Sequence, residues 1–379
     1  MNNNRTTLLM MNLTTMTTSR MVQQANTFED SLKRAGKAIY FYSSAIFDLT
    51  GILLCTACFL FFLLNRALNK TIMGYIYAIQ SAIYALVLLM NYLFYGFVAE
   101  FRDLTRQSIE LCNVVNYLSR VLMQMAAFFQ VYIIVDRYVS IRWSNRFAFK
   151  SKKWFVNIVL LAQCVTLGVL NVAYTFYFRR PPDNHKSYTC TFRYRNEHVS
   201  TFAELMSSIM ASWLPCALMT LFNVLTLRLL IESKRRVNKQ QSAKNRMESN
   251  KGVERLTMTV VKLSALFVLS NVPKSITWLV KDIYQKSMEA ASSNTLTLTL
   301  INFFVQIGLV VYYFHISMTF GLFYAFNKPF KDEIDRCVLR RRRQQQNKPN
   351  KSVSQTKNTL QTLTTAAVKK ILPEKPLNT

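Results

Sequence analysis

The chain of 379 residues is 51% hydrophobic yet carries a formal net charge of +28. An ordinary soluble domain does not combine the two, and a disordered chain lacks the apolar content. Segregation reconciles them: seven apolar blocks of at least 25 residues alternate with polar, mostly basic connections, and each block is long enough to cross ~30 Å of hydrocarbon. A single segment in lipid must satisfy its own backbone hydrogen bonds, so the blocks read as helices and the fold as an all-α membrane protein, a seven-transmembrane helix bundle.

Residues 1–38 are polar and form an N-terminal tail, with no cleavable signal sequence ahead of the first apolar block. The blocks run from Ile39 to Leu64, Thr71 to Val98, Ile109 to Ile141, Trp154 to Phe178, Phe202 to Ile231, Leu256 to Val280 and Leu298 to Phe326, so residues 39–326 make the transmembrane domain. An odd number of spans puts the two termini on opposite sides. Lys and Arg number 14 in the tail and the even-numbered connections against 28 on the other side, which sets the latter in the cytosol and the N-terminus outside the plasma membrane. The sequons at Asn4 and Asn12 then lie on the glycosylated side, and those at Asn69 and Asn350 do not.

Span three joins two chemistries. Cys112 opens it and Asp136-Arg137-Tyr138 closes it, 25 residues on from Cys112 to Arg137, so the thiol and the acid–base pair face opposite compartments. Of the seven cysteines, Cys55, Cys58, Cys164 and Cys216 lie inside apolar spans and Cys337 on the cytosolic side. Cys112 and Cys190, in the second outer connection, remain as the pair in an oxidising compartment and are expected to be bonded, the alternative being two free thiols. Aromatic and hydroxyl residues from Ser187 to Tyr194, after the turn-forming Pro181-Pro182-Asp183-Asn184, read as a short hairpin stapled to span three. Pro215 and Pro273 each remove a helix hydrogen bond in mid-span and make pivots or static kinks. After span seven, Phe330, Ile334, Cys337 and Val338 recur at helical spacing, so residues 327–343 are expected to lie on the membrane as an amphipathic helix, with Cys337 beside Arg340 to Arg343 placed for palmitoylation. Residues 344–379 are polar and read as a disordered cytoplasmic tail.

Further marks join these. Phe267 stands six residues before Pro273 in span six, and Tyr324 precedes Phe326-Asn327-Lys328-Pro329-Phe330. With Cys112, Cys190 and Asp136-Arg137-Tyr138 at their spacing, the chain from about Ile39 to Arg343 resembles the rhodopsin-like G-protein-coupled receptors, in a divergent, neuropeptide-receptor-like form. The resemblance implies an extracellular ligand, an outward swing of span six, and release of Arg137 to meet a G-protein α subunit. Asp136, Arg137, Tyr138 and Tyr324 would form the switch, Pro215, Phe267 and Pro273 the pivots, and a phosphorylated tail would meet arrestin. It implies no catalytic residue, metal or cofactor. The chain also departs from the family pattern. The stretch of span two from Gly74 to Ser81 has no aspartate where the family usually keeps one, so no mid-bundle sodium site is expected there; Phe320-Gly321 replaces the usual Asn-Pro, so Gly321 is expected to supply flexibility; Asn271 replaces the tryptophan before Pro273.

By the same resemblance, no acidic residue faces the ligand pocket near Ser119, which argues against an amine ligand. Arg120 and Lys274 stand at ligand depth instead, and a charge inside a span usually lines a cavity because it is costly unpaired. They are expected to receive the acidic group of a short peptide or other ligand, with Ser119, Gln306 and Tyr313 as further contacts; internal pairing with Glu204 or Asp282 is the alternative. Arg179, Arg180, Lys186, Arg193 and Arg195 in the second outer connection would steer anions inward. Two competing classes are a small-molecule chemosensory receptor of the same fold and a seven-span transporter or channel, the latter disfavoured because no internal repeat is found. Three histidines, two of them in one outer connection, supply no metal or hydrolase constellation, so the chain is not read as an enzyme, and nothing in it points to nucleic acid.

Overall fold

The computed structural model of the protein describes residues 27–101, 109–143, 152–172, 205–239, 244–290, 295–328 and 330–337. Among the described residues there are helices and no strand. Seven helices are long and apolar enough to cross a membrane: spans one to seven are Thr27–Leu64, Ile72–Ala99, Glu110–Arg142, Lys153–Asn171, Leu205–Glu232, Thr257–Lys281 and Leu296–Ser317. The all-α seven-span bundle read from the sequence is the observed fold. The ends of the bundle are called here after the residues of span three that mark them, the Cys112 end and the Arg137 end.

Two boundaries differ from the sequence reading. Span one begins at Thr27, twelve residues before Ile39. Its polar extension is held by a Lys33–Glu29 pair at 2.6 Å and by the Thr299 hydroxyl, which donates to Glu29 Oε1 across to span seven (3.1 Å), features that apolar patterning does not register. Span seven stops at Ser317, and a separate helix, Thr319–Phe326, follows Met318 (φ −77°, ψ 3°). The hydroxyls of Ser317 and Thr319 bond back to the carbonyls of Tyr313 (2.7 Å) and Ile316 (2.6 Å), a pattern that bends helices. Gly321, the residue expected to bend here, sits inside the second helix with open space where a Cβ would be. The break falls three residues earlier, at Met318.

Local chemistry sets the turn at the Arg137 end of spans one and two. Asn65 Oδ1 accepts the amides of Ala67 (2.9 Å) and Leu68 (3.3 Å) to cap a short helix, Arg66–Asn69. Thr71 Oγ1 accepts the Gly74 amide (3.0 Å) and starts span two. Asn69, whose sequon was assigned to the cytosolic side, spends its side chain on the Leu63 carbonyl (2.8 Å) and on Lys153 of span four (2.6 Å).

Large apolar side chains such as Leu53, Leu64, Leu161, Val169 and Leu269 point outward, as lipid permits. Inside, polar groups join the helices. Gln80 Nε2 donates to Gln130 Oε1 and to the Tyr84 hydroxyl (3.1 Å), tying span two to span three. Asn171 and Gln124 exchange bonds at 2.6 and 3.4 Å between spans four and three, and Ser264 donates to Asn223 Oδ1 (2.8 Å) between spans six and five. In lipid, where apolar burial gives little net drive, each such bond contributes ~0.6–2 kcal/mol. Two π-helical turns interrupt the spans, Ser44–Asp48 in span one and Ile209–Trp213 in span five. The second ends just before Leu214-Pro215, where the proline has no amide to return to the preceding turn and a wider turn accommodates it.

Close approach is decisive at Gly308. A Cβ there would stand 2.9 Å from Lys274 Cα and 3.1 Å from its amide nitrogen, so span seven lies directly on the span-six backbone just past Pro273. The chain divides at Asn327 into a second unit, in which residues 330–337 are helical, Phe330 is buried and Arg336 pairs with Glu333 at 2.6 Å. Gly308→Ala is expected to destabilise the bundle by ~1–3 kcal/mol, because the obstructing atoms are backbone. The check is a lower melting temperature of purified protein, and an unchanged one would contradict this packing.

Candidate ligand cavity and switch residues

A cavity of ≈ 590 Å³ lies between spans one, two, three, five, six and seven in the Cys112 half of the bundle. Its lining holds three cations, Arg120, Lys274 and Lys281, and among the described residues no carboxylate. Each cation is placed by a neighbour. Arg120 Nη1 donates to the Ser207 hydroxyl of span five at 2.9 Å. Lys274 is buried, takes part in none of the described ion pairs, and holds its ammonium 3.6 Å from the ring centroid of Tyr312. Tyr312 in turn meets Phe267 edge-on, with centroids 6.2 Å apart, and Phe267 also meets His315 at 5.8 Å. Lysine, tyrosine and phenylalanine thus form a column from the cavity into the bundle. Lys281 lies over Trp278 at 5.0 Å, and both line the cavity.

The opposite wall is hydrogen-bonded and neutral. The Tyr40 hydroxyl donates to Asn91 Oδ1 (2.7 Å), and the Tyr95 hydroxyl to Asn116 Oδ1 (2.9 Å). All four of these residues line the cavity. Its volume lies in the range of sites that bury a drug-sized molecule.

Of the ligand contacts read from the sequence, Arg120, Lys274, Ser119 and Tyr313 line the cavity together. Gln306 does not. Its amide packs against Gly36 in the extension of span one, a helical segment absent from the apolar pattern. Glu204, one proposed internal partner, lies outside the described residues, as does the side chain of Asp282. The sequence reading missed Lys281 and Trp278. Their signal was present, since positions four and seven residues beyond Lys274 return to the same helix face.

At the other end of span three, Arg137 Nη2 bonds Asp136 Oδ2 at 2.7 Å, with Asp136 buried. Tyr138 packs edge-on to Phe222 (5.5 Å) and Trp143 (6.1 Å). Tyr77, Phe62 and Phe323 form a buried aromatic cluster there, with centroids 4.7 to 5.8 Å apart, while Tyr324 points outward. The Thr259 hydroxyl of span six donates to the Phe326 carbonyl at 2.6 Å, and Lys262 stands over the Phe326 ring at 5.3 Å. Pro273 lies inside a continuous helix and Pro215 is buried after its π turn. Cys112 is buried at the start of span three; Cys190, the hairpin around it, Asn4 and Asn12 lie outside the described residues. Cys55, Cys58, Cys164, Cys216 and Cys337 are free thiols.

A bundle of seven spans with a cavity at one end and an acid–base pair at the other has the architecture of a membrane receptor. Residues 55–318 match the family described as 7 transmembrane receptor (rhodopsin family). The match covers most of the 379 residues, and the chain belongs to that family. It is a multi-pass G-protein-coupled receptor, a receptor class rather than an enzymatic one, whose partners in general are an extracellular ligand and a G protein. No curated protein matches the chain.

A buried ammonium with no carboxylate beside it among the described residues is kept at a cost to stability. Lys274→Met is therefore expected to raise the melting temperature of the unliganded receptor by ~2–4 °C, whereas an anion-binding role for the lysine would make the same variant insensitive to ligand. A melting temperature that falls in Lys274→Met would mean that the lysine is structural.

Proposed function

We propose that this receptor, at the plasma membrane with its N-terminus outside, binds a ligand carrying an anionic group between Arg120 and Lys274 and activates a heterotrimeric G protein. The observation that carries the reading is the cavity lining, with three cations and no acid among the described residues. An anion entering there meets charges already placed by Ser207 and Tyr312. The volume suits a small molecule or the terminal residues of a short peptide, so a chemosensory ligand of low mass is the second reading.

Signalling runs down span six in this proposal. An anion drawing Lys274 off Tyr312 disturbs Phe267, and span six pivots at Pro273 against Gly308. Its far end then leaves the Phe326 carbonyl, which Thr259 holds, and Arg137 exchanges Asp136 for the G protein. The proposed organisation around this core is an extracellular tail (1–38) glycosylated at Asn4 and Asn12, a Cys112–Cys190 bond, a membrane-surface helix (327–343) with Cys337 palmitoylated, and a cytoplasmic tail (344–379) that meets arrestin.

Recruitment of a panel of G-protein α subunits in cells tests the reading. Arg137→Ala is expected to abolish coupling at equal surface expression, and silence of the unmutated receptor across the panel, with anionic ligand libraries applied, would reject it. Thr259→Val removes one span-six hydrogen bond worth ~1 kcal/mol and is expected to raise basal coupling about fivefold. Peptide mapping without reductant is expected to find Cys112 joined to Cys190, and a free Cys112 would remove that bond from the proposal.

A further inference from the structure

Span one carries a carboxylate that neither the ligand reading nor the switch uses. Asp48 closes the π-helical turn Ser44–Asp48 and is 0% exposed. Its Oδ2 accepts from the Ser44 hydroxyl (2.5 Å) and from Asn91 Nδ2 of span two (2.7 Å), while its Oδ1 is buried with no hydrogen-bond partner. None of the described ion pairs involves it.

The helices around it offer no counter-charge. The turn packs against spans two and seven. Neither Ile72–Ala99 nor Leu296–Ser317 contains a lysine or arginine, and on span one the nearest basic residue is Lys37, eleven positions and ~16 Å of helix away. An ionised carboxylate in such a place costs several kcal/mol, so its charge must be compensated by something that the described residues do not supply. π turns recur at functional sites, and this one aims the carboxylate between the helices instead of into lipid.

We propose that Asp48, with Ser44 and Asn91, binds one small monovalent cation, a proton or a sodium ion, and that its occupancy sets the neutral wall of the ligand cavity. The link is short. By accepting from Asn91 Nδ2, Asp48 turns the Asn91 carbonyl oxygen toward the Tyr40 hydroxyl, and Asn91 and Tyr40 both line the cavity. Ser44 Oγ also accepts the Phe97 amide (3.1 Å), which anchors the short helix Phe97–Phe101 to the same turn. With the cation gone, the uncompensated carboxylate draws in water, spans one and two part, and Tyr40 and Asn91 lose their register. The inference rests on the seven-span fold and is independent of which ligand the cavity takes.

The test is thermal unfolding of the full-length receptor in nanodiscs, in sodium chloride or N-methylglucamine chloride at equal ionic strength, at about pH 5.5 and about pH 8. The unmutated receptor is expected to melt ~3 °C higher when either sodium or acid is supplied than in N-methylglucamine at the higher pH. A response to sodium assigns a sodium ion, and a response to acid alone assigns a proton. Asp48→Asn, which keeps the shape of the side chain, is expected to lose the response. Glu29, Asp30 and His315 are the other acidic or imidazole groups of spans one and seven, span two has none, and whatever they contribute persists in Asp48→Asn and is thereby separated. Equal melting of the unmutated receptor in all four buffers would overturn the proposal, as would a full response retained by Asp48→Asn. The first of these outcomes needs no variant to fold.

Discussion

The cost of a charge inside hydrocarbon organises this molecule. Interior acids and bases among the described residues are few, and each is handled differently. Asp136 and Arg137 neutralise each other within one turn at 2.7 Å. Arg120 reaches a serine on the neighbouring span, and Lys274 rests on a tyrosine ring beside a cavity. Asp48 is hydrogen-bonded on one oxygen only. A complete pair such as Asp136–Arg137 can be remade at modest cost, and the Asp48 carboxylate and the Lys274 ammonium are the proposed places for something from outside.

The same constraint underlies the proposed communication between the two ends of the bundle. Lipid offers no water to heal a broken backbone, so a helix that moves must do so where its hydrogen bonds are already modified. Span six has such a place at Pro273, and span seven answers it with Gly308, whose missing side chain lets the two backbones touch at Lys274. The cationic wall therefore sits on the proposed pivot itself. Below it, Tyr312 and Phe267 fill the space that a shift of Lys274 would disturb.

Most of the architecture was legible because hydropathy in a membrane protein is a nearly direct reading of depth. The seven blocks and the Asp136-Arg137 pair followed from spacing along helices that had to be straight enough to cross, while the depth of Arg120 and Lys274, which both line the cavity, came from the family resemblance. What hydropathy could not register was polar helix. The extension from Thr27 is charged, so it read as tail, and Gln306 was consequently assigned to the cavity although span one covers it. Flexibility was expected at Gly321 because Phe320-Gly321 stands where the family has Asn-Pro, whereas the break between helices falls at Met318, where hydroxyls of Ser317 and Thr319 compete for backbone carbonyls. Asp48 stands in the sequence as an acid within an apolar block, but that spans two and seven pack against it and bring no lysine or arginine is a fact of the fold.

The most direct measurement is the structure, by electron cryomicroscopy, of the receptor bound to its most potent ligand and a G protein. The expected result is an acidic group of the ligand within hydrogen-bond distance of Lys274 and Arg120, with the Thr259 hydroxyl separated from the Phe326 carbonyl. A ligand seated in the cavity with no anionic group near either cation, or an activated bundle that keeps the Thr259–Phe326 bond, would contradict the link between interior charge and signalling.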